Sequence, residues 1–375
     1  MLSRRRPRRP APRRATLEEI GERGWLDRLG RSLAGYASDV VVGFGDDTAC
    51  MVLQSVAGGL LLLTTDLLVE ETHFTWRSAT PSSLGEKAVA INVSDIAAMG
   101  GRPTAMVVGV GAPAHFEVAR LERVFRAIER ACRRWEIALV GGDTVRSDKL
   151  ILAVALVGEF DGPSGRLPLR SRLRAGQQLY VTGTLGDSAA GLALLLAKKG
   201  AAERALGQPW SRQLIERHRR PQPRLREGRL LAERLDDVAM IDLSDDLWTS
   251  ADLLSRASRV GAAIRLDQLP VSPALRRFCR ATKCNPLETA VCGGEDFELL
   301  FATSAPPRAV TRLLRENGIE TPVCAIGQAG GRRIRWLDRR GQSVAMRWRP
   351  FEHFAPATPA VAGPSDPGKM IYKLL

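Results

Sequence analysis

The strongest constraint in this chain is a scattered series of aspartates, each placed where an apolar run breaks beside glycine or a hydroxyl residue. Asp46 and Asp47 follow a G-x-G turn, Asp66 follows Thr64–Thr65, Asp143 follows Gly141–Gly142, and Asp242 and Asp245 flank Ser244. Glu295–Asp296 follow Gly293–Gly294 in the same way, and Asp95 lies inside an otherwise apolar helical stretch. Junctions between regular elements and turns are where site side chains are commonly displayed. Singly, an Asp beside Gly is an ordinary turn or cap residue, and Asp187 is read that way. Asp95 resists that reading, because a carboxylate on an apolar helix is costly to bury without a partner. Two unpaired carboxylates about 4 Å apart repel by roughly 4 kcal/mol at an effective dielectric near 20. If these residues converge, they need cations or must bind protons. Oxygen ligands with no Cys or His cluster select hard ions, magnesium ahead of zinc. Magnesium that shares its shell with phosphates is the usual nucleotide arrangement.

Other features narrow the class. The chain has 375 residues, enough for two domains. No apolar run reaches the roughly 18 residues that cross a bilayer, and the N-terminal arginines have no apolar stretch behind them to read as a secretory signal. The six cysteines, at 50, 132, 279, 284, 292 and 324, form no C-x-x-C pair. They read as reduced thiols of a cytoplasmic protein. Seven arginines between Arg4 and Arg14 supply half of the formal net charge of +14. That Pro/Arg run has too little apolar surface to fold and reads as a solvated tail, the one segment suited to touching nucleic acid. A P-loop, the H-R-D and D-F-G kinase pair, G-x-S-x-G and H-E-x-x-H are all absent from the sequence.

The hydrophobic pattern predicts alternating strands and helices in both halves, an α/β or α+β fold. Helices are expected at Leu17–Leu29, Leu84–Met99, Glu117–Trp135, Asp187–Lys198, from Pro221 to Leu235, and after the Asp-rich turn Ser244–Asp246 to about Ser258. Strands are expected at Gly59–Leu68, Thr104–Val110, Ala138–Val140, Leu150–Gly158, Leu179–Thr182, Ala239–Leu243 and Phe297–Ala302. The Gly-, Pro- and Arg-rich stretch Asp161–Gln177 is the best domain boundary. It divides a domain at 16–160 from one at 161–355, between tails at 1–15 and 356–375.

Eight segments occur in a fixed order: G-F-G-D-D (43–47), T-T-D-L-L-V-E-E-T-H-F (64–74), N-V-S-D-I-A-A-M-G (92–100), G-G-D-T (141–144), V-T-G-T-L-G-D-S-A-A-G (181–191), R-P-Q-P-R (220–224), I-D-L-S-D (241–245) and G-G-E-D-F-E-L (293–299). Together they resemble the thiamine-monophosphate kinase family, of the superfamily that includes aminoimidazole ribonucleotide synthetase. The resemblance covers about residues 17–355. It implies a two-domain fold that forms a homodimer through its N-terminal sheets. It also implies a reaction in which ATP and thiamine monophosphate give ADP and thiamine diphosphate. By position, Asp47, Thr64, Thr65, Asp66, Asp95, Asp143, Asp242 and Asp245 would form the magnesium shell, with Asp47, Asp95, Asp143 and Asp245 closest to the chemistry. Gly142, Asp143, Arg170 and Ser244 would lie on ATP. His73 and Glu295 would meet the thiamine phosphate, and Phe351, or Trp348 two positions away, would pack on its ring.

The chemistry is consistent with that resemblance. An acceptor phosphate has a second pKa near 6, so it is largely dianionic at neutral pH and needs no general base. The obstacle is repulsion between two anions, which several magnesium ions would neutralise while aligning them. Arg170 would add a fork of donors to ATP phosphate. Arg220–Arg224 read equally as a phosphate contact or as a helix N-terminal turn. Two positions depart from the family pattern: Glu86 replaces a position often aromatic, and Asp246 stands where Gly is expected. The latter adds a carboxylate beside Asp245 and removes a residue that permits unusual backbone angles. A selenophosphate synthetase would need a reactive Cys and a Lys upstream of the G-F-G-D-D turn, and residues 1–45 hold neither. The remaining alternatives are another ATP-using member of the superfamily and a catalytically weakened homologue with a nucleic-acid-binding tail.

Overall fold

The computed structural model describes residues 40–42, 46–52, 59–162, 166–197 and 201–346. The helix expected at Leu17–Leu29, the arginine-rich tail, Trp348 and Phe351 lie outside the described residues. The strands are β1 (Val40–Val42), β2 (Ala49–Val52), β3 (Leu60–Val69), β4 (Arg102–Ala112), β5 (Ala138–Arg146), β6 (Ile151–Phe160), β7 (Gln178–Thr182), β8 (Ala239–Asp242), β9 (Ala262–Arg265), β10 (Leu299–Thr303), β11 (Val323–Ala329) and β12 (Ile334–Leu337). The helices are α1 (Pro81–Ala98), α2 (Val118–Arg134), α3 (Asp187–Leu196), α4 (Ala201–Ala205), α5 (Pro209–Arg219), α6 (Leu225–Arg234), α7 (Leu247–Ser258), α8 (Pro273–Thr282), α9 (Pro286–Cys292) and α10 (Pro307–Glu316).

Two six-stranded sheets organise these elements. The first runs β1-β2-β3-β6-β4-β5, antiparallel except for the parallel pair β4–β5. Its strands alternate: Leu60, Leu62, Thr64 and Leu68 of β3 are buried, as are Leu152, Val154 and Leu156 of β6. That face joins α1 and α2 in one core. The opposite face leaves Leu63, Leu67, Val107 and Val145 exposed, with Leu67 at 51%. The second sheet runs β12-β9-β11-β7-β10-β8, antiparallel except for β9–β12. Here β10 is buried on both faces. Leu300 and Ala302 pack with α7, while Leu299 and Phe301 pack with α6 and α10.

Helix α1 links the two halves. Thr80 and Ser83 cap it reciprocally, each side chain accepting the other's backbone N–H, and Pro81 occupies the first turn. Most of its residues are buried, so it has no polar face and reads as an apolar run rather than an amphipathic stripe. Ala98 packs in a core of the second half, while Ala232 of α6 and Phe297 belong to the core of the first. A Cβ on Gly228 of α6 would lie 2.0 Å from the Ala97 carbonyl, so only glycine permits this approach.

Three local readings need correction. Gly141–Asp143 do not form a turn: β5 continues through them because it stays paired with β4. Asp187 is not the N-cap of α3. Gly186 takes that position, and Asp296 reaches across to accept from the N–H groups of Gly186 (2.5 Å) and Ser188 (3.1 Å). Asp187 instead accepts from Ser272 and Thr184. Helix α6 begins at Leu225 rather than Pro221. Arg220 and Arg224 ahead of it hold Glu86, Glu216 and Glu298 in ion pairs.

Gly228→Ala is expected to lower the unfolding free energy by about 1–3 kcal/mol, because the added methyl must push α6 off α1. Urea denaturation checks this.

Candidate active site

The site lies where β3, α1, the Asp46–Asp47 turn and the end of β8 meet. One carboxylate oxygen from each of Asp47, Asp95 and Asp242 lies within 4.8 Å of the other two. Asp47 and Asp242 are buried. Each residue is positioned locally. Asp95 projects from α1 and accepts from the Thr64 hydroxyl at 2.5 Å. Asp242 ends β8 and accepts from Ser94 (2.8 Å) and Ser244 (3.0 Å). Asp47 receives a fork from Arg170, Nε to Oδ2 at 3.1 Å and Nη2 to Oδ1 at 2.9 Å. Asp46 accepts from the backbone N–H of both Asp47 and Arg170.

The electrostatics follow from burial and crowding. Burial, and then the charges of Asp66, Asp242 and Asp47, push Asp95 well above the usual carboxylate range, against the hydrogen bond from Thr64. Burial and then Asp47 push Asp242 up to about 8 and Asp46 to about 7. Burial alone raises Asp66 to about 6. Burial would weaken the charge of Arg170, but Asp47 and Asp46 more than offset it and raise its pKa. The donor set is all oxygen, crowded and poorly neutralised by one guanidinium. It fits a hard divalent cation, with Asp47, Asp95 and Asp242 as the residues that would hold it.

The structure separates the other candidates. Thr64 and Asp66 share the face of β3 that carries the cluster. Thr65 alternates to the open face, and its hydroxyl donates to the Val154 carbonyl at 2.7 Å. Ser244 reaches Asp242, while Asp245 beside it is exposed and outside the three-carboxylate group. Asp143 is exposed on β5, in the register row that runs through Gly109 and Ala153 to Leu67, the row of the open face. Gly142 has a packing reason to be glycine, since a Cβ would lie 2.0 Å from the Val108 carbonyl. His73 accepts from the Val69 N–H through Nδ1 at 3.0 Å. Glu295 pairs with Lys87 at 2.5 Å. Phe351 lies outside the described residues.

Asp246 proves to be a helix cap. It is buried, its backbone has an ordinary φ of −112°, and its side chain accepts from the Thr249 N–H at 2.6 Å. Neither unusual backbone angles nor an extra ligand is required of it. Glu86 likewise has a partner in Arg220 at 2.8 Å. Lys87, His218 and Glu298 are charged or titratable neighbours of the site that are not among the sequence candidates. The available signal was a charged residue in an apolar setting: Lys87 interrupts the same helical run as Asp95, and Glu298 directly precedes an apolar strand.

Two outcomes follow. Asp246→Ala should cost about 1 kcal/mol of stability and Asp246→Gly only a few tenths, as measured by denaturant titration. In chelator, the raised pKa values of Asp46, Asp66 and Asp242 mean that the folded state binds more protons than the unfolded chain above the ordinary carboxylate range. Metal-free stability should therefore fall as pH rises from about 5 to about 8. Magnesium should raise the melting temperature more at the upper end, which differential scanning fluorimetry would show.

Residues 45–160 match the N-terminal domain of AIR synthase related proteins, and residues 174–336 match the C-terminal domain. The thiamine-monophosphate kinase of Aquifex aeolicus is 39% identical over 285 residues, covering 76% of this chain and 86% of that protein. The thiamine-monophosphate kinase of Escherichia coli is 36% identical over 320 residues, covering 84% and 93%. A solved structure described as AaThiL complexed with AMPPCP and TMP superposes with a TM-score of 0.75 at 33% identity, covering 91% of this chain and 99% of that one. With both domain models matched and these relatives spanning most of its length, the chain belongs to the thiamine-monophosphate kinase family of AIR synthase related proteins.

Proposed function

We propose that the protein transfers the terminal phosphoryl group of ATP directly to thiamine monophosphate. The observation that carries this is the convergence of Asp47, Asp95 and Asp242 from three distant segments. The kinase names of its relatives, and a structural neighbour described with AMPPCP and TMP, support the same reading. Bound magnesium would neutralise phosphate charge and favour the approach of one anion to another. Asp47, Asp95 and Asp242 would hold it, with Asp66 beside them.

The chain's own residues supply the rest. Thr64, Ser94 and Ser244 orient the carboxylates through the hydrogen bonds already described. Arg170 forks onto Asp47 here, and the same planar donors suit a nucleotide phosphate once Asp47 is otherwise neutralised. His73 and Glu295 form the acceptor side. No side chain is required as a base, since the acceptor phosphate is already ionised near neutral pH.

The open face of the first sheet supports a homodimer. Leu63, Leu67, Val107 and Val145 would be covered by a second copy of the same face. Asp143 shares a row of that face with Leu67, so its carboxylate would serve the partner's site rather than its own.

Purified protein with ATP, magnesium and thiamine monophosphate should produce thiamine diphosphate, followed by chromatography. Absence of product from folded protein at saturating magnesium would overturn the proposal. Mixing Asp47→Asn with Asp143→Asn chains separates the two arrangements of Asp143. If the partner supplies Asp143, half of the dimers are mixed and each regains one intact site, about a quarter of wild-type activity. If Asp143 serves its own chain, activity stays at the level of the single variants.

A further inference from the structure

Lys87 lies on α1, two turns before Asp95, with its side chain only 7% exposed. Its ammonium sits 2.5 Å from one oxygen of Glu295. The other oxygen lies 3.4 Å from Nδ1 of His218, which in turn lies 3.1 Å from the Ser188 hydroxyl. Burial, and then the charge of Lys87, push His218 down to about 3, so the imidazole is neutral. Lys87 is therefore the principal cation beside Glu295. It outweighs the burial that would otherwise raise the carboxyl pKa.

The backbone of Glu295 is held separately. Its N–H donates to the Ser244 carbonyl at 2.8 Å, and its φ of +64° lies in the left-handed region that non-glycine residues rarely occupy. A turn in that conformation is filled at lower cost by glycine or asparagine. The side chain is still 31% exposed, so the core does not require it. Strained backbone of this kind persists where surrounding contacts over-determine it, which is common at ligand-binding positions. Here the contacts come from the loop after β8, from α1 and from α5. The loop begins directly after Asp242, and α1 carries Asp95.

We propose that Lys87 is a positioning residue for the acceptor substrate: it locks Glu295, ionised and in one rotamer, at the edge of the acceptor site. This rests on the reading that Glu295 meets thiamine monophosphate. That acceptor carries a cationic ring, which a fixed anionic edge would favour and a mobile carboxylate would hold less well. ATP does not depend on this pair, because its phosphates belong to the aspartate cluster.

Steady-state kinetics test the assignment. Lys87→Met should raise KM for thiamine monophosphate by about tenfold or more, with KM for ATP changed by less than about twofold. Lys87→Arg, which keeps the charge, should recover part of the loss. Glu295→Gln should show the same split. The double variant should be no worse than the poorer single, since both changes break one interaction. If Lys87→Met does not fold, Lys87→Arg and Glu295→Gln still give the comparison. Equal changes in both KM values, a loss confined to kcat, or additive effects in the double variant would overturn the proposal. Wild-type protein that makes no thiamine diphosphate would instead overturn the functional reading beneath it.

Discussion

Mutual repulsion among buried carboxylates is the constraint around which the site is arranged. Asp47, Asp95 and Asp242 offer oxygens within 4.8 Å of one another in a largely buried seam, with Asp66 adding its charge to the strain on Asp95. A folded chain tolerates such a group only by binding protons, by recruiting cations, or by placing donors around each oxygen. All three are present. Asp95, Asp242 and Asp46 have raised pKa values, Arg170 brings a fixed cation, and Thr64, Ser94 and Ser244 bring hydroxyl donors. The donors are neutral and short, so they orient the acids without neutralising them. That leaves the negative potential that a divalent ion and its phosphates would use.

The repulsion has to be held by something stiff, and α1 has that role. It carries Asp95 and Ser94 toward the cluster and Lys87 toward Glu295. It is enclosed by the first sheet, α2 and α6, so its side chains cannot relax outward. The close approach of Gly228 to Ala97 fixes α6 against it. Beyond Asp242, the loop of Ser244 is tied to the loop of Glu295 by hydrogen bonds from the Glu295 and Phe297 N–H groups to the Ser244 and Leu243 carbonyls. One helix and one pair of loops therefore position both the cluster and Glu295.

Much of this was legible in the residues, for particular reasons. Asp95 was conspicuous because a carboxylate in an apolar run has no ordinary surface explanation. β3 and β6 were legible because each is a short apolar run rich in Leu and Val, while the alternation of their two faces shows only in their burial. Asp143 was misplaced because Gly141–Gly142 read as a turn, and only pairing with β4 extends β5 through them. The cap of α3 was misplaced because Asp296, distant in sequence, replaces a local side chain. Thr65 was placed with Thr64 by the family pattern, yet neighbours on a strand face opposite ways, and its hydroxyl is used by the Val154 carbonyl. Lys87 was passed over although it carries the same signal as Asp95, a charge inside an apolar helix.

The same structure shows why counting acidic residues cannot define the site. Glu298 is fully buried and more deeply enclosed than Asp95, yet Arg217, Arg224 and the Thr182 hydroxyl surround it and hold its pKa below the usual range against burial. It joins the R-P-Q-P-R segment to the second sheet and has no unused capacity for a cation. Asp246 likewise uses a carboxylate oxygen on a helix N–H, where the dipole favours a negative charge. Asp95 and Asp242 differ in accepting their side-chain hydrogen bonds from hydroxyls while other acids crowd them. An acid whose partners already neutralise it serves the fold. An acid crowded by other acids keeps its field for something that arrives later, and that distinction separates Asp95 and Asp242 from Glu298 and Asp246 even though all are buried or nearly so.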